Sequence, residues 1–134
     1  MRDEIYPNSF QKIFTWLLYK LPWSKPSITL DSEGIQLFAS FPKVERKILW
    51  IDIKEIQIYL SRGKGVSNYD IMITLRDPQQ YLINKKDKLY QIIIPNMSGD
   101  ITIYNKFAIP SIPEFKEILK KYPVRAISSS WRDK

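Results

Sequence analysis

The chain has 134 residues, 44% of them hydrophobic and 26% charged, which fits one folded domain with a genuine core. It contains neither histidine nor cysteine, which excludes disulfides, removes the commonest acid–base and thiol catalysts, and leaves zinc or iron–sulfur centres without their usual ligands. A net charge of +7, from 21 basic and 14 acidic side chains, suits anionic partners such as nucleic acid, phospholipid headgroups or an acidic protein surface.

Met1 to Asn8 mix Arg2 with Asp3 and Glu4 and carry no secretory signal. Residues 9–21 read as an amphipathic helix, with Ser9 as its N-cap and Pro22 as its stop. Phe10, Ile13, Phe14, Leu17, Leu18 and Leu21 share one face, which is expected to pack inward. The other face holds Gln11, Lys12, Thr15, Trp16, Tyr19 and Lys20. Two readings stay open for its aromatics: Trp16 and Tyr19 cover a neighbouring strand, or the helix lies in a membrane interface, where aromatic and basic side chains sit together. Its apolar run, Ile13–Leu21, falls short of the roughly 20 residues that span a bilayer.

The period then drops to two. Short strands are expected at Ser27–Asp31, Ile35–Ser40, Glu45–Trp50, Lys54–Leu60, Tyr69–Leu75 and Gln80–Ile83. A last hairpin, Leu89–Ile94 with Ile101–Tyr104, closes the series. Asp31-Ser32-Glu33-Gly34 and Arg76-Asp77-Pro78 read as turns, Phe41-Pro42-Lys43 as a break, and Ser61–Asn68 as a loop with two glycines. A final helix spans about residues 112–122: Ser111 and Glu114 form a capping box, Pro113 sits in the first turn, and Phe115, Ile118, Leu119 and Tyr122 share a face. The tail Ser128–Lys134 has no periodicity and reads as loose. The expected fold class is mainly β: a barrel or orthogonal sandwich of about seven strands, a C-terminal capping helix and an extra N-terminal helix. The expected division is residues 1–24, 25–123 and 124–134.

Two stretches carry a family resemblance. Ile48-Leu49-Trp50-Ile51-Asp52-Ile53-Lys54-Glu55-Ile56 resembles the strand, W-x-D-I, strand junction of bacterial pleckstrin-homology-like and GRAM-like domains. There Trp50 and Ile53 tuck inward while Asp52 faces water and caps the turn. Gly99-Asp100-Ile101-Thr102-Ile103, followed by Ala108-Ile109-Pro110 and the helix through Leu119, is similar to their last strand and terminal helix. The resemblance spans about residues 25–122. It implies two packed sheets plugged by a helix and, in some members, a phosphoinositide pocket in the first strand loop. Here that loop, Asp31–Gly34, is acidic and short, which argues against that pocket.

Candidate binding residues lie elsewhere. Arg62 and Lys64 stand among glycines, whose N–H groups can converge on an anion, although no phosphate-binding P-loop pattern is present. Lys43, Arg46 and Lys47 form a second basic patch, and Lys12, Trp16, Tyr19 and Lys20 mark the N-terminal helix. Lysines at strand ends also serve simply to discourage edge pairing. Tyr59, Tyr69, Tyr81 and Tyr90 could stack on bases, but no nucleic-acid-binding signature accompanies them. No serine elbow or spaced carboxylate pair points to catalysis, and no cofactor or metal is expected. The expectation is a non-enzymatic binding module, cytoplasmic or peripheral to the inner membrane face, that recognises a protein partner or an anionic lipid surface. The alternative is an immunity protein that neutralises a toxin, docking by charge on an acidic toxin domain.

Overall fold

Alternating apolar residues build the strands, and the apolar sides of two sheets meet in one core. The computed structural model describes residues 2–40, 44–63, 66–81, 100–104 and 108–130. The first sheet holds β1 (Arg2–Ile5), β2 (Ile28–Asp31), β3 (Gly34–Leu37) and β4 (Ile48–Leu49), side by side in that order and antiparallel. The second holds β5 (Ile53–Gly63), β6 (Val66–Leu75), β7 (Ile101–Tyr104) and β8 (Ala126–Ser130), in the order β7-β6-β5-β8. Helix α1 (Ser9–Tyr19) links β1 to β2, and α2 (Ile112–Leu119) lies between β7 and β8. The fold is thus mainly β, as expected, with two α-helices among the described residues. The sheets are two separate ladders, with no closed barrel among the described residues.

Ile28, Leu30, Ile35 and Leu37 of the first sheet and Ile56, Ile58, Ile71, Ile73, Ile101 and Ile103 of the second are fully buried in one cluster. Phe115 and Leu119 of α2 join it, because their spacing places both on the stripe facing the sheets. Ser111 caps α2, its hydroxyl accepting from the Glu114 N–H, which is one half of the expected capping box.

The turn after β2 is built by Asp31. Its carboxylate accepts from the N–H groups of Glu33 (2.9 Å) and Gly34 (3.1 Å) and meets the Lys47 ammonium at 2.5 Å. Gly34 is required by close approach: a Cβ there would lie 2.0 Å from the Ile48 carbonyl oxygen. Trp50 and Ile53 turn inward at the β4–β5 corner as expected. The Trp50 indole donates to the Asp31 carbonyl (2.7 Å) and stacks on Tyr122, with ring centroids 5.0 Å apart. Asp52 does not cap this corner. Its half-buried carboxylate instead accepts the Tyr81 hydroxyl.

Several elements differ from expectation. β1 and β8 lack a strand pattern of their own and are recruited by open edges: β1 by β2, and β8, parallel, by β5. The tail is therefore not loose through Ser130. The expected 61–68 loop is ladder for most of its length, with Arg62 opposite Ser67 and Gly63 opposite Val66. The expected 35–40 and 45–50 strands are shorter, and Pro78–Gln80 is a 3-10 turn where a strand was expected to begin. Phe41–Lys43, Leu82–Ile83 and Leu89–Ile94 lie outside the described residues.

Candidate functional site

The helix α1 is set into the fold with its polar stripe inward. Gln11 and Thr15, one turn apart, are its two buried residues. The face expected to pack inward is largely exposed: Phe10 is 68% accessible, Leu17 61% and Ile13 45%. Leu18 of the same face is also exposed, as are Trp16 on the helix and Tyr6 and Trp23 before and after it in the chain. Phe10 and Phe14 meet edge to face, with centroids 5.3 Å apart.

Local chemistry holds the helix this way round. Asn8, not Ser9, is the N-cap: its side-chain Oδ1 accepts from the Gln11 N–H (2.8 Å), and the Gln11 side chain accepts from the Asn8 N–H (3.0 Å). The Gln11 amide also donates to the Ile109 carbonyl (3.1 Å), and the Thr15 hydroxyl to the Lys12 carbonyl (3.1 Å). Reversing the helix would bury Phe10 and Leu17 but break the Gln11 link and leave the Ile109 carbonyl unpaired. The helix ends before Pro22, at Lys20, the only described non-glycine residue with positive φ (55°). The Leu21 N–H returns to the Thr15 carbonyl (3.2 Å), and Leu21 itself is buried.

Fully burying one Phe, Leu or Ile side chain is worth about 1.5–3 kcal/mol. Leaving several exposed forgoes a sum comparable to a whole domain's net stability of about 5–15 kcal/mol. Larger exposed apolar patches are uncommon on monomeric soluble proteins, which makes this face the candidate site. Its charge is one-sided: from Ile5 to Leu30 the chain carries Lys12, Lys20 and Lys25 and no acidic residue.

The other candidate residues fall into distinct settings. Trp16 and Lys20 are exposed on or beside this surface, and Lys12 is half-buried at its edge. Tyr19 packs against the core, in keeping with the reading in which it covers a neighbouring strand, whereas Trp16 stays exposed. Arg46 lies over the Tyr81 ring (4.4 Å) and donates to the Gln80 carbonyl (2.8 Å), while Lys47 pairs with Asp31. Both serve the fold. Arg62 sits in β5, and Lys43 and Lys64 lie outside the described residues.

Two open cavities adjoin the first sheet. One of about 350 Å³ lies at the end of α1, between Tyr19, Lys20, Gln36, Phe38, Val44 and Glu45. The other, of about 230 Å³, lies between β1 and the start of α2, with Glu4, Tyr6 and Glu114 at its rim. The perturbed titrating groups are structural pins. Burial and the adjacent Asp3 push the Tyr122 hydroxyl up to about 12, and its hydrogen bond (2.5 Å) in turn holds the Asp3 carboxyl below its ordinary value. Lys47 does the same for Asp31, and burial raises Tyr81. Among the described residues no cluster of three carboxylates could hold a metal ion.

The contributions of Tyr6, Gln11, Trp23, Phe38 and Glu45 are not evident from helical periodicity. The signal present in the sequence is the acid-free, aromatic-rich run from Ile5 to Leu30. No helix among the described residues is long and apolar enough to cross a membrane. No family model, curated protein or solved structure matches the chain.

Proposed function

We propose that this chain is a non-enzymatic module that docks on an anionic membrane surface through the outward apolar face of α1. The single observation carrying this reading is the inverted helix: Gln11 and Thr15 buried, Phe10, Ile13 and Leu17 exposed. An amphipathic helix lying in the interface plane buries such a face by about 5–10 Å among headgroups and upper acyl chains. Trp16 and Trp23 suit headgroup depth, and Lys12, Lys20 and Lys25 supply attraction to anionic lipid without an intervening carboxylate. The fold itself is read as a pleckstrin-homology-like variant, on the strength of the Trp50–Ile53 corner and the capped helix after β7. In that reading β1, α1 and β8 are additions, and α1 rather than a strand loop supplies the contact.

The test is sedimentation with vesicles of phosphatidylcholine alone or mixed with phosphatidylglycerol, at low and high salt. The chain is expected to sediment with the anionic vesicles, and less so as salt rises. Phe10→Ser/Leu17→Ser should cut binding more than tenfold, since each lost side chain removes about 1.5 kcal/mol or more of burial. Because both residues are exposed, the variant should melt like the parent. Failure to sediment with anionic vesicles at low salt rejects the reading. Stoichiometric capture of an acidic protein by the same face would replace it with the partner-protein alternative.

A further inference from the structure

The cavity at the end of α1 adjoins the proposed membrane-facing surface and has its own chemistry. Lys20 and Glu45, of opposite charge, stand at its rim with Phe38, Tyr19 and Val44 as walls. Among the described residues neither the Lys20 nor the Glu45 side chain is used in a hydrogen bond or ion pair. In this they differ from Lys47, which pairs with Asp31, and Arg46, which donates to the Gln80 carbonyl.

Lys20 is held there at a cost. It occupies a left-handed position that glycine takes readily and a lysine adopts only with strain (φ 55°). A helix end needing only a stop would be served better by glycine or asparagine. Strain retained at a cavity rim points to use of the side chain. The opposite wall is firm: the Phe38 N–H donates to the Ser27 carbonyl (2.9 Å) and Val44 is buried. A volume of about 350 Å³ lies at the small end of ligand sites and suits a headgroup rather than a larger ligand.

Resting on the membrane reading above, we infer that this cleft binds the zwitterionic headgroup of a phospholipid, Lys20 taking the phosphate and Glu45 the ammonium. A purely anionic headgroup would leave Glu45 repelling it; a purely cationic one would leave Lys20 doing so. A phosphate and an ammonium joined by two carbons satisfy both charges at once and leave the glycerol end toward the surface of α1. Phe38 adds a ring face on which the ammonium can rest.

The test uses the full chain and a soluble probe, glycerophosphoethanolamine, at millimolar concentration, followed by backbone amide shifts. Saturable shifts centred on Lys20, Phe38 and Glu45 are expected. Glycerol phosphate and ethanolamine alone should each bind about tenfold more weakly, as charge-assisted contacts are lost. Lys20→Gly keeps the backbone conformation and removes the ammonium; it should abolish the shifts while melting at or above the parent temperature. Glu45→Gln should weaken the probe and narrow its advantage over glycerol phosphate. Absence of saturable shifts, equal affinity for glycerol phosphate, or an unaffected Lys20→Gly variant would overturn the site. In vesicles at constant phosphatidylglycerol, adding phosphatidylethanolamine should strengthen binding in the parent and not in Lys20→Gly. Cleft shifts without any vesicle binding would reject the docking role of α1 and assign the cleft to the free zwitterion instead.

Discussion

The two helices among the described residues are both amphipathic and are docked in opposite senses. In α2 the apolar stripe of Ile112, Phe115 and Leu119 is buried, and Lys120 and Lys121 just beyond it face outward. In α1 the polar stripe of Gln11 and Thr15 is buried and the apolar stripe faces out. The period identifies a helix and its two faces in both cases. Which face meets the core is decided by what waits there: a sheet of isoleucines for α2, an unpaired carbonyl at Ile109 for α1.

The largest effect should come from truncating matching apolar residues on the two helices. Phe115→Ala removes a fully buried ring and should cost about 3–5 kcal/mol in urea unfolding. Leu17→Ala on α1 should stay within about 0.5 kcal/mol of the parent. Equal losses at both positions would mean that the α1 face is covered and the contrast false.

A smaller effect should come from the buried amide. Gln11→Ala leaves the Ile109 carbonyl unpaired and removes one half of the capping box, a loss of about 1–3 kcal/mol. The same change should loosen the register of α1, read as faster amide exchange across residues 9–19, while α2 keeps its protection. Uniform loss of protection in both helices would contradict a local anchor.

The smallest effect concerns pH and tests the anchor beyond α2. Asp3 and Asp31 titrate below their ordinary 3.8 in the folded chain, so the stability they add is present above that value and is lost as pH falls through their folded values. Tyr122, raised from 10.0 to about 12, adds stability that is complete below pH 10 and disappears as pH rises toward 12. Tyr122→Phe should shrink the alkaline limb to the share of Tyr81, whose hydroxyl burial also raises, and the acid limb to the shares of Asp31 and of the Lys121–Asp3 pair. An unchanged alkaline limb would show that Tyr122 is not its source.

Much of the scaffold was legible because it depends on local rules. The alternation in Ile56–Ile58 and Ile71–Leu75, the Asp31–Gly34 turn and the Ser111 cap each follow from a few adjacent residues. The unreadable elements are those whose partner lies far along the chain. Arg2–Ile5 and Ala126–Ser130 become strands only because β2 and β5 offer them an edge. The 61–68 segment looked like a loop by its glycines, yet extends a ladder begun by Ile56 and Ile73. At α1 the helix and its apolar set were legible, but its sidedness was not, since no local pattern announces a carbonyl 98 positions away. Of the candidate binding residues, Lys20 and Trp16 lie at the exposed surface, whereas Arg46, itself exposed, contacts Tyr81 and Gln80, and Lys47 pairs with Asp31.

The segment carrying α1 leaves the first sheet after Ile5 and rejoins it at Ile28, and these two residues are register partners. The Ser27 N–H and hydroxyl fasten the return strand to the Ile5 carbonyl, at 2.8 and 3.0 Å. The helix is therefore a closed excursion from a single rung, tied to the rest of the fold by the Gln11 bond to the Ile109 carbonyl. Whatever it rests on sets the attitude of the whole sheet above it, much as a keel sets the attitude of a hull.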